Sequence, residues 1–300
     1  MNKIFLDSAD LQDIETLKPT NVTTNPSLFK IAAQHQCYNN FCESISAAAS
    51  GISYSAYEVF CFMWGSEILK LIPGELHLQL EPSLSHNSKA MIKQSKNIIA
   101  LFGPYSKRIV IKIPATLEGI SAATILKADD IRCNMTMVFG LAQALLCAQS
   151  NLYMIAPYVG RITDWHKHVY NESSYPSNKD PGLQLINQIQ RAYRHLGADT
   201  KVLAASLRNN SQAQYASQRC GVTLNKFLFE DFKANKNPLY FNDEFLTIGT
   251  IISDYKNLKK MFEADRLTQE NLRIVIDKFI FCSLILKNMF RQKTLIKVKK

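Results

Sequence analysis

The sequence IVIKIPA, residues 109–115, decides the fold, because it is an apolar strand with one lysine inside it. Side chains along a strand alternate between two faces, so the three isoleucines share one face and Lys112 lies on the other. A buried ammonium group without a partner is costly, and such a lysine tends to lose its proton and become nucleophilic. The pattern alone leaves two interpretations open: a nucleophilic amine, or a buried ion pair with Glu81 or Asp7.

Seven further short apolar runs accompany this strand, and longer helical patterns separate them. The eight predicted strands are Ile4–Ala9, Val22–Asn25, Leu76–Glu81, Ile109–Ala115, Cys133–Phe139, Met154–Val159, Val202–Ser206 and Val222–Leu224. The clearest helical patterns are Ser88–Leu101, Leu117–Leu126, Leu141–Gln149 and Gly182–His195. Strands that alternate with helices indicate a parallel sheet, and eight such units in 300 residues fit a closed barrel better than a doubly wound sheet.

We therefore predict an α/β fold, a (β/α)8 TIM barrel that forms a single domain over residues 1–300. The barrel is expected to occupy about residues 1–240, and extra C-terminal helices about residues 241–300. One domain is expected because no linker and no low-complexity segment divides the chain.

Composition argues against several classes of protein. The 7 cysteines form no CxxC pair, which is typical of reduced thiols in a cytoplasmic protein and predicts no metal site. The uncharged run from Asn134 to Gly160 is long enough to span a bilayer, but its polar residues and changing periodicity predict strand, helix and strand instead. Part of the net charge of +10 lies in the C-terminal tail. Because aromatic residues do not interleave with the basic residues there, we expect a solvated helix rather than a contact with nucleic acid.

Polar side chains recur on five of the predicted strands, always on the face opposite the aliphatic residues. They are Asp7, Gln79, Lys112, Asn134, Thr136 and Tyr158. The aliphatic face of a barrel strand packs outward against helices, and the inward face turns polar near the C-terminal mouth, where active sites lie. The alternation therefore predicts that these six side chains point toward one place.

Six segments resemble those of the transaldolases and occur in the same order. They are FLDSAD (5–10), VTTNPSLF (22–29), IVIKIPATLEGI (109–120), CNMTMVFGLAQA (133–144), APYVGRITDW (156–165) and AASLRN (204–209). The stretch SSYPSNKDPG (173–182) also resembles theirs, and the resemblance weakens after about residue 225. It implies a barrel that is circularly permuted relative to other Schiff-base aldolases.

The resemblance also implies a role for each matching residue. Lys112 matches the lysine that forms the Schiff base, Asp7 the acid/base of carbon–carbon cleavage, and Thr136 the threonine that positions a catalytic water. The residues that match ligands of the donor hydroxyls and of the phosphate are Asn25, Asn134, Arg161, Ser206 and Arg208. The implied reaction transfers a dihydroxyacetone unit from fructose 6-phosphate to erythrose 4-phosphate, giving sedoheptulose 7-phosphate in the pentose phosphate pathway. It requires no cofactor.

Three positions near the expected water site depart from the usual transaldolase pattern. Gln79 stands where those enzymes carry glutamate, Tyr158 where they carry phenylalanine, and Ala156 where they carry serine. These residues resemble the fructose 6-phosphate aldolase subgroup, in which the enamine is protonated and released as dihydroxyacetone. A glutamine binds water through hydrogen bonds but cannot accept its proton.

Three hypotheses follow from the sequence. The first is a transaldolase with an altered water site, and the second is an aldolase that releases dihydroxyacetone. The third is a barrel kept for binding or regulation with weak catalysis. The expected partners are small sugar phosphates rather than a membrane or nucleic acid, and the protein is expected to be a monomer or homodimer.

Overall fold

The computed structural model describes residues 3–49, 54–234 and 254–298, and in it eight parallel strands form a closed barrel in sequence order. The strands are β1 (Ile4–Asp7), β2 (Asn21–Thr23), β3 (Leu76–Gln79), β4 (Ile109–Pro114), β5 (Cys133–Val138), β6 (Met154–Pro157), β7 (Lys201–Ala204) and β8 (Gly221–Leu224). Strand β8 pairs with β1 and closes the barrel, so the predicted (β/α)8 fold is confirmed. Most strands end one or two residues before the predicted limit, because the chain leaves the sheet there to form the mouth.

Helices follow every strand, as the alternating pattern predicts. Within the described residues they are α1 (Leu11–Leu17), α2 (Pro26–Gln34), α3 (Asn39–Ala49), α4 (Ala56–Leu71), α5 (Ser88–Phe102), α6 (Leu117–Ala128), α7 (Leu141–Gln149), α8 (Val159–Tyr170), α9 (Pro181–Leu196), α10 (Asn210–Ser217), α11 (Lys226–Ala234), α12 (Tyr255–Ala264) and α13 (Arg266–Val298). Short 3-10 helices are Gln36–Tyr38, Pro82–Leu84 and Gly103–Arg108.

The uncharged run from Asn134 to Gly160 is mainly strand β5, helix α7 and strand β6, in agreement with the prediction. No helix in the described parts of the chain combines the length and the apolar character that a membrane crossing needs. Helices α12 and α13 confirm the predicted C-terminal helices. The boundary near residue 240 stays a prediction, since residues 235–253 lie outside the described residues.

The main apolar core lies between the barrel wall and the helices. The three isoleucines of β4 are buried on the outward face, as the alternation predicts. Trp64 of α4 is fully buried, and its Nε1 donates a hydrogen bond to the carbonyl of Ala9 at 2.8 Å. Its ring packs against Phe29 and Phe60 at centroid distances of 6.5 and 5.2 Å. These aromatic contacts fix α4 and α2 against the first strands of the barrel.

The strand register decides which inward side chains become neighbours. Gln79 of β3 pairs with Lys112 of β4, and Lys112 pairs with Asn134 of β5. Two residues farther along, Thr136 pairs with Ala156 of β6. Neighbouring strands lie about 4.8 Å apart, so the two amides flank the lysine directly.

Helix α13 lies at the mouth of the barrel and is attached there on several sides. Lys287 forms an ion pair with Glu81, which follows the end of β3. Cys282 lies 3.3 Å from Ser27 at the start of α2. On the opposite side, Trp165 of α8 donates a hydrogen bond to Glu270 at 2.7 Å. The pairing of Glu81 with Lys287 places this carboxylate with the C-terminal helix, and one of the two partners considered for Lys112 is thereby removed.

Two isoleucines on the outer helices test where the core lies. Ile98 of α5 has no exposed surface, whereas Ile125 of α6 is 49% exposed. We expect Ile98→Ala to lower the free energy of unfolding by about 2–5 kcal/mol, because it leaves a cavity under the helix. Ile125→Ala, the matched control, should change it by less than about 0.5 kcal/mol. Urea unfolding followed by circular dichroism measures both, and equal effects would contradict the assigned core.

Candidate active site

A cavity of about 300 Å³ opens at the C-terminal mouth of the barrel. Seven residues predicted from the sequence line it: Asp7, Asn25, Lys112, Tyr158, Arg161, Ser206 and Arg208. The other four predicted residues lie deeper, in the barrel wall, and each is at most 2% exposed: Gln79, Asn134, Thr136 and Ala156. The structure thus gathers the predicted set in two layers at one end of the barrel.

Lys112 is the central side chain of this site. It is 5% exposed, and its Nζ donates a hydrogen bond to the backbone carbonyl of Thr24 at 2.9 Å. Burial lowers the pKa of Lys112 below that of an ordinary lysine, and the attraction of the Asp7 carboxylate opposes this shift. The environment therefore increases the fraction of neutral, nucleophilic amine.

Asp7 ends β1 and is partly exposed to the cavity. Its Oδ1 accepts a hydrogen bond from the hydroxyl of Thr23 at 2.6 Å, and this hydroxyl lies 2.6 Å from that of Thr223. Because Thr23 gives its single proton to Asp7, Thr223 must be the donor in the second contact. Burial raises the pKa of the Asp7 carboxyl, while Lys112 and the Thr23 hydrogen bond oppose the rise. A carboxyl with these properties is suited to accepting and returning a proton.

A set of uncharged polar groups lies on the other side of Lys112. The hydroxyls of Thr136 and Tyr158 are 2.9 Å apart, and the Tyr158 ring packs on Phe139. Burial raises the pKa of Tyr158 to about 12, so the phenol keeps its proton near neutral pH. Both side-chain polar atoms of Gln79 are buried without a hydrogen-bond partner in the described part of the chain. Buried polar groups nearly always bind something, so Gln79 is suited to hold a water molecule or a ligand hydroxyl.

The two predicted asparagines occupy different environments. Asn25 precedes α2 and caps it, with Oδ1 accepting hydrogen bonds from the amides of Ser27 and Leu28 at 3.0 and 3.1 Å. Its oxygen serves the helix, and its amide nitrogen is the group suited to a ligand. Asn134 is fully buried in β5, and its Nδ2 lies 3.0 Å from Nδ1 of His77.

Two guanidinium groups share the edge of the cavity formed after β6 and β7. Arg208 donates hydrogen bonds to Asp164 at 2.8 and 3.0 Å and to the hydroxyl of Ser206 at 3.0 Å. Arg161 is half-buried, and its pKa is lowered by burial and then by the charge of Arg208. Since a bound anion would offset both effects, the pair is suited to phosphate.

Gly160 permits this close arrangement. A Cβ atom at this position would lie 2.1 Å from the carbonyl oxygen of Ser206 and 2.7 Å from Cγ of Arg208. The Gly160 amide donates a hydrogen bond to that same carbonyl at 3.2 Å. Ser206 itself has a φ of 60°, in the left-handed region, which turns the chain at the end of β7. Any larger residue at Gly160 would separate the two arginine-bearing segments.

Sequence reasoning missed several residues that line the cavity, namely Ser27, Thr223, Asn225, Lys278 and Phe279. Strand alternation contains the signal for Thr223, because its register partner Phe5 lies inside the barrel. Lys278 and Phe279 belong to α13. The hydrophobic pattern of a helix does not predict where on the barrel that helix packs, so these two positions carried no comparable signal.

A parallel eight-stranded barrel with these groups at its mouth defines a (β/α)8-barrel enzyme whose site combines an amine, a carboxyl and an anion-binding edge. The sequence model described as "Transaldolase/Fructose-6-phosphate aldolase" matches residues 4–281. The chain therefore belongs to the transaldolase/fructose-6-phosphate aldolase family, and the resemblance noted from its segments is confirmed.

Several named proteins are similar to this chain. A transaldolase of Prochlorococcus marinus is 36% identical over 222 residues, which is 70% of this chain and 67% of that protein. A transaldolase of Nostoc sp. is 32% identical over 290 residues, which is 91% of this chain and 87% of that protein. Among solved structures, flavocytochrome b2 with pyruvate bound matches over 93% of this chain and 65% of its own at 9% identity and a TM-score of 0.41. That likeness is too weak to support an inference about function.

The reactivity of Lys112 can be measured without a substrate. Because burial lowers its pKa, reductive methylation by formaldehyde should reach half its maximal rate at a lower pH for Lys112 than for the exposed Lys93. Asp7→Asn removes the charge that opposes the shift, so it should move the Lys112 midpoint to still lower pH. Peptide mass spectrometry of one digest measures both lysines. Coincident midpoints for Lys112 and Lys93 would contradict the assigned environment.

Proposed function

We propose that the protein is a transaldolase that transfers a dihydroxyacetone unit between sugar phosphates through a Schiff base on Lys112. The observation that carries the proposal is the buried amine of Lys112, desolvated at the barrel mouth beside Asp7. The names of the relatives support the transferase activity, and membership of the family supports sugar phosphates as substrates.

Substrate binding begins with the phosphate. Arg161 and Arg208 bind its oxygens, with the hydroxyl of Ser206 as a further donor. Lys278 of α13 also lines this cavity and adds a positive charge. Held at this edge, a ketose phosphate directs its carbonyl carbon toward Lys112.

Schiff-base formation follows. The neutral amine of Lys112 attacks the carbonyl carbon of fructose 6-phosphate, and loss of water from the carbinolamine gives an iminium ion. Thr136 and Tyr158 orient the departing water, and Gln79 accepts or donates a hydrogen bond to it. Because Gln79 cannot transfer a proton, the protonated carboxyl of Asp7 supplies the proton with which the hydroxyl leaves as water, and Asp7 is left as the carboxylate that the next step needs.

Carbon–carbon cleavage uses Asp7 as the base. Asp7 removes the proton of the C4 hydroxyl, the C3–C4 bond breaks, and its electron pair moves into the iminium to give an enamine. Glyceraldehyde 3-phosphate leaves. The enamine then attacks the aldehyde carbon of erythrose 4-phosphate, Asp7 returns the proton, and hydrolysis of the new iminium releases sedoheptulose 7-phosphate and free Lys112.

A fructose 6-phosphate aldolase activity is the second candidate. The observation in its favour is the water site, where Gln79, Tyr158 and Ala156 replace the residues usual in transaldolases. In that reaction the enamine takes a proton and leaves as dihydroxyacetone. Turnover of fructose 6-phosphate with and without erythrose 4-phosphate separates the two: release of glyceraldehyde 3-phosphate that needs the acceptor supports the transferase.

The Schiff base is the decisive test of the proposal. Borohydride added together with fructose 6-phosphate should reduce the adduct and leave a three-carbon or hexose-phosphate mass on Lys112, located by peptide mass spectrometry. Lys112→Met should abolish both adduct and turnover, whereas Lys93→Met, an exposed lysine on α5, should leave both unchanged. Asp7→Asn should reduce turnover by about 10²–10⁴-fold, the usual contribution of a general base. An unmodified Lys112 would refute both enzyme candidates.

The phosphate site makes a separate prediction. Arg161→Met should raise the KM for fructose 6-phosphate by about tenfold or more, because it removes a charge-assisted hydrogen bond. With unphosphorylated fructose as donor, the same variant should change kcat/KM by less than about twofold, since no phosphate contact is lost. Steady-state kinetics with both sugars measures the difference. Equal losses for the two donors would place the phosphate elsewhere.

The cellular setting is part of the proposal. The cysteines are free, and all except Cys37 are buried, which fits a reducing compartment such as the cytoplasm. A monomer or a homodimer is expected, as the sequence indicated.

A further inference from the structure

A histidine lies inside the barrel below the candidate catalytic residues, and the proposed mechanism does not use it. His77 of β3 is fully buried, and its ring contacts Phe5 edge-on at a centroid distance of 4.9 Å. Its Nδ1 lies 3.0 Å from Nδ2 of Asn134. On the other side of the ring, Nε2 lies 3.8 Å from Oε2 of Glu75, just before the start of β3. The ring thus connects the bottom of the barrel with the layer that holds Lys112.

The chemistry of the three groups fixes the direction of these contacts. An amide nitrogen can only donate a hydrogen bond, so Nδ1 of His77 must accept, and the ring proton must lie on Nε2. That N–H then faces the carboxylate of Glu75 at 3.8 Å, an electrostatic contact rather than a hydrogen bond, and Nε2 has no hydrogen-bond partner among the described residues. If the amide of Asn134 were reversed, the ring proton would move to Nδ1, and the lone pair of Nε2 would face the carboxylate. Two acceptors repel, so Glu75 favours one tautomer of His77 and thereby one orientation of Asn134.

Glu75 is held firmly enough to have this effect. It accepts hydrogen bonds from Arg132 at 2.7 Å, Tyr153 at 2.8 Å and Lys3 at 3.1 Å. Although burial raises the pKa of Glu75, contacts with His77, Tyr153 and Lys3 bring it below the ordinary value. Burial lowers the pKa of His77 to about 4. Near neutral pH the carboxylate is therefore ionised and the imidazole neutral, as the hydrogen-bond directions require.

The orientation of Asn134 decides which of its atoms is available to a ligand. With Nδ2 bonded to His77, its Oδ1 is buried and has no hydrogen-bond partner among the described residues. Asn134 is also the register partner of Lys112. A buried amide oxygen without a donor is unfavourable, and a hydroxyl of a bound ligand would satisfy it.

We propose that Glu75 and His77 are positioning residues that fix the amide of Asn134, so that its Oδ1 accepts a hydrogen bond from a hydroxyl of the ketose donor. The inference rests on the proposed function, because the donor ketose is the ligand. It assigns the substrate contact of Asn134 to its Oδ1 atom. It also assigns control of that atom to the carboxylate of Glu75, which precedes β3 at the end of the strand away from the mouth. A reversed amide would present N–H groups instead, so the ketose hydroxyl could no longer donate its proton to Asn134.

Kinetics of paired variants test the positioning role. His77→Leu should raise the KM for fructose 6-phosphate by about tenfold, the effect of one lost hydrogen bond, with a smaller change in kcat. His77→Asn, whose Oδ1 stands in for the ring Nδ1 as acceptor, should restore most of the loss. In an Asn134→Ala background, His77→Leu should have no further effect on KM. His195→Asn, an exposed histidine at the end of α9, serves as the matched control and should keep the wild-type KM.

Nitrogen NMR of the free protein tests the same inference without any substrate. With ¹⁵N-labelled histidine, His77, assigned by its loss in His77→Asn, should show the neutral Nε2–H tautomer between about pH 6 and pH 8. Glu75→Gln removes the selecting charge and should add the Nδ1–H tautomer. The Nδ1–H form or a charged ring in the wild-type protein would overturn the inference, as would a KM effect of His77→Leu that persists without Asn134.

The kinetic and NMR experiments together distinguish failure of the inference from failure of the proposed function. If the wild-type protein shows no Lys112 adduct and no turnover, the function is wrong, and a pure Nε2–H tautomer would still support the orienting contact. If turnover is normal and His77→Leu leaves KM unchanged, the function stands and the inference is wrong. Should His77→Leu fail to fold, His77→Asn and Glu75→Gln carry the test.

Discussion

The desolvation of Lys112 is the constraint on which the rest of the site depends. Negative charge beside a buried lysine stabilises its ammonium form, as the Asp7 carboxylate does for Lys112, and further negative charge around it would oppose the effect of burial still more. Its register partners, Gln79 and Asn134, are both uncharged amides. A glutamate at position 79 would stabilise the ammonium form and raise the pKa of the lysine. In the proposed mechanism Gln79 therefore has two effects: it binds water without accepting its proton, and it favours the nucleophilic form of Lys112.

Charge is separated across the mouth in a way that suits a sugar phosphate. Arg161, Arg208 and Lys278 lie around the outer cavity, whereas Asp7 lies near the amine. A ligand with an anionic end and an uncharged carbonyl end is attracted to the first group before its carbonyl enters the second. The barrel supplies the inner groups from its strands, and α8, the turn after β7 and α13 supply the outer ones. The strands thus supply the groups suited to the reaction, and the segments after them and the last helix supply the groups suited to selecting the ligand.

Much of this arrangement could be predicted from the sequence, for a definite physical reason. A period of two in a barrel strand separates inside from outside, so the residue order alone places Asp7, Gln79 and Lys112 on the inward face. The pattern gave no information on partners. It left Glu81 as a candidate for Lys112, although the structure pairs Glu81 with Lys287, because helix packing depends on long-range contacts. It gave no cap function to Asn25, and it did not reveal the contact between His77 and Asn134.

The attachment of α13 at the mouth has a consequence for the order of synthesis. Strand β8 pairs with β1, so the barrel can close only after residue 224 has been made, and the wall formed by Lys278 and Phe279 is made later still. Domains fold as units while the chain is being synthesised, from the N-terminal end first. The candidate site is therefore complete only once α13 has been made, although its strand residues are all present earlier. A chain that ended after β8 would carry Lys112 and Asp7 but would lack the wall that Lys278 and Phe279 give to the cavity.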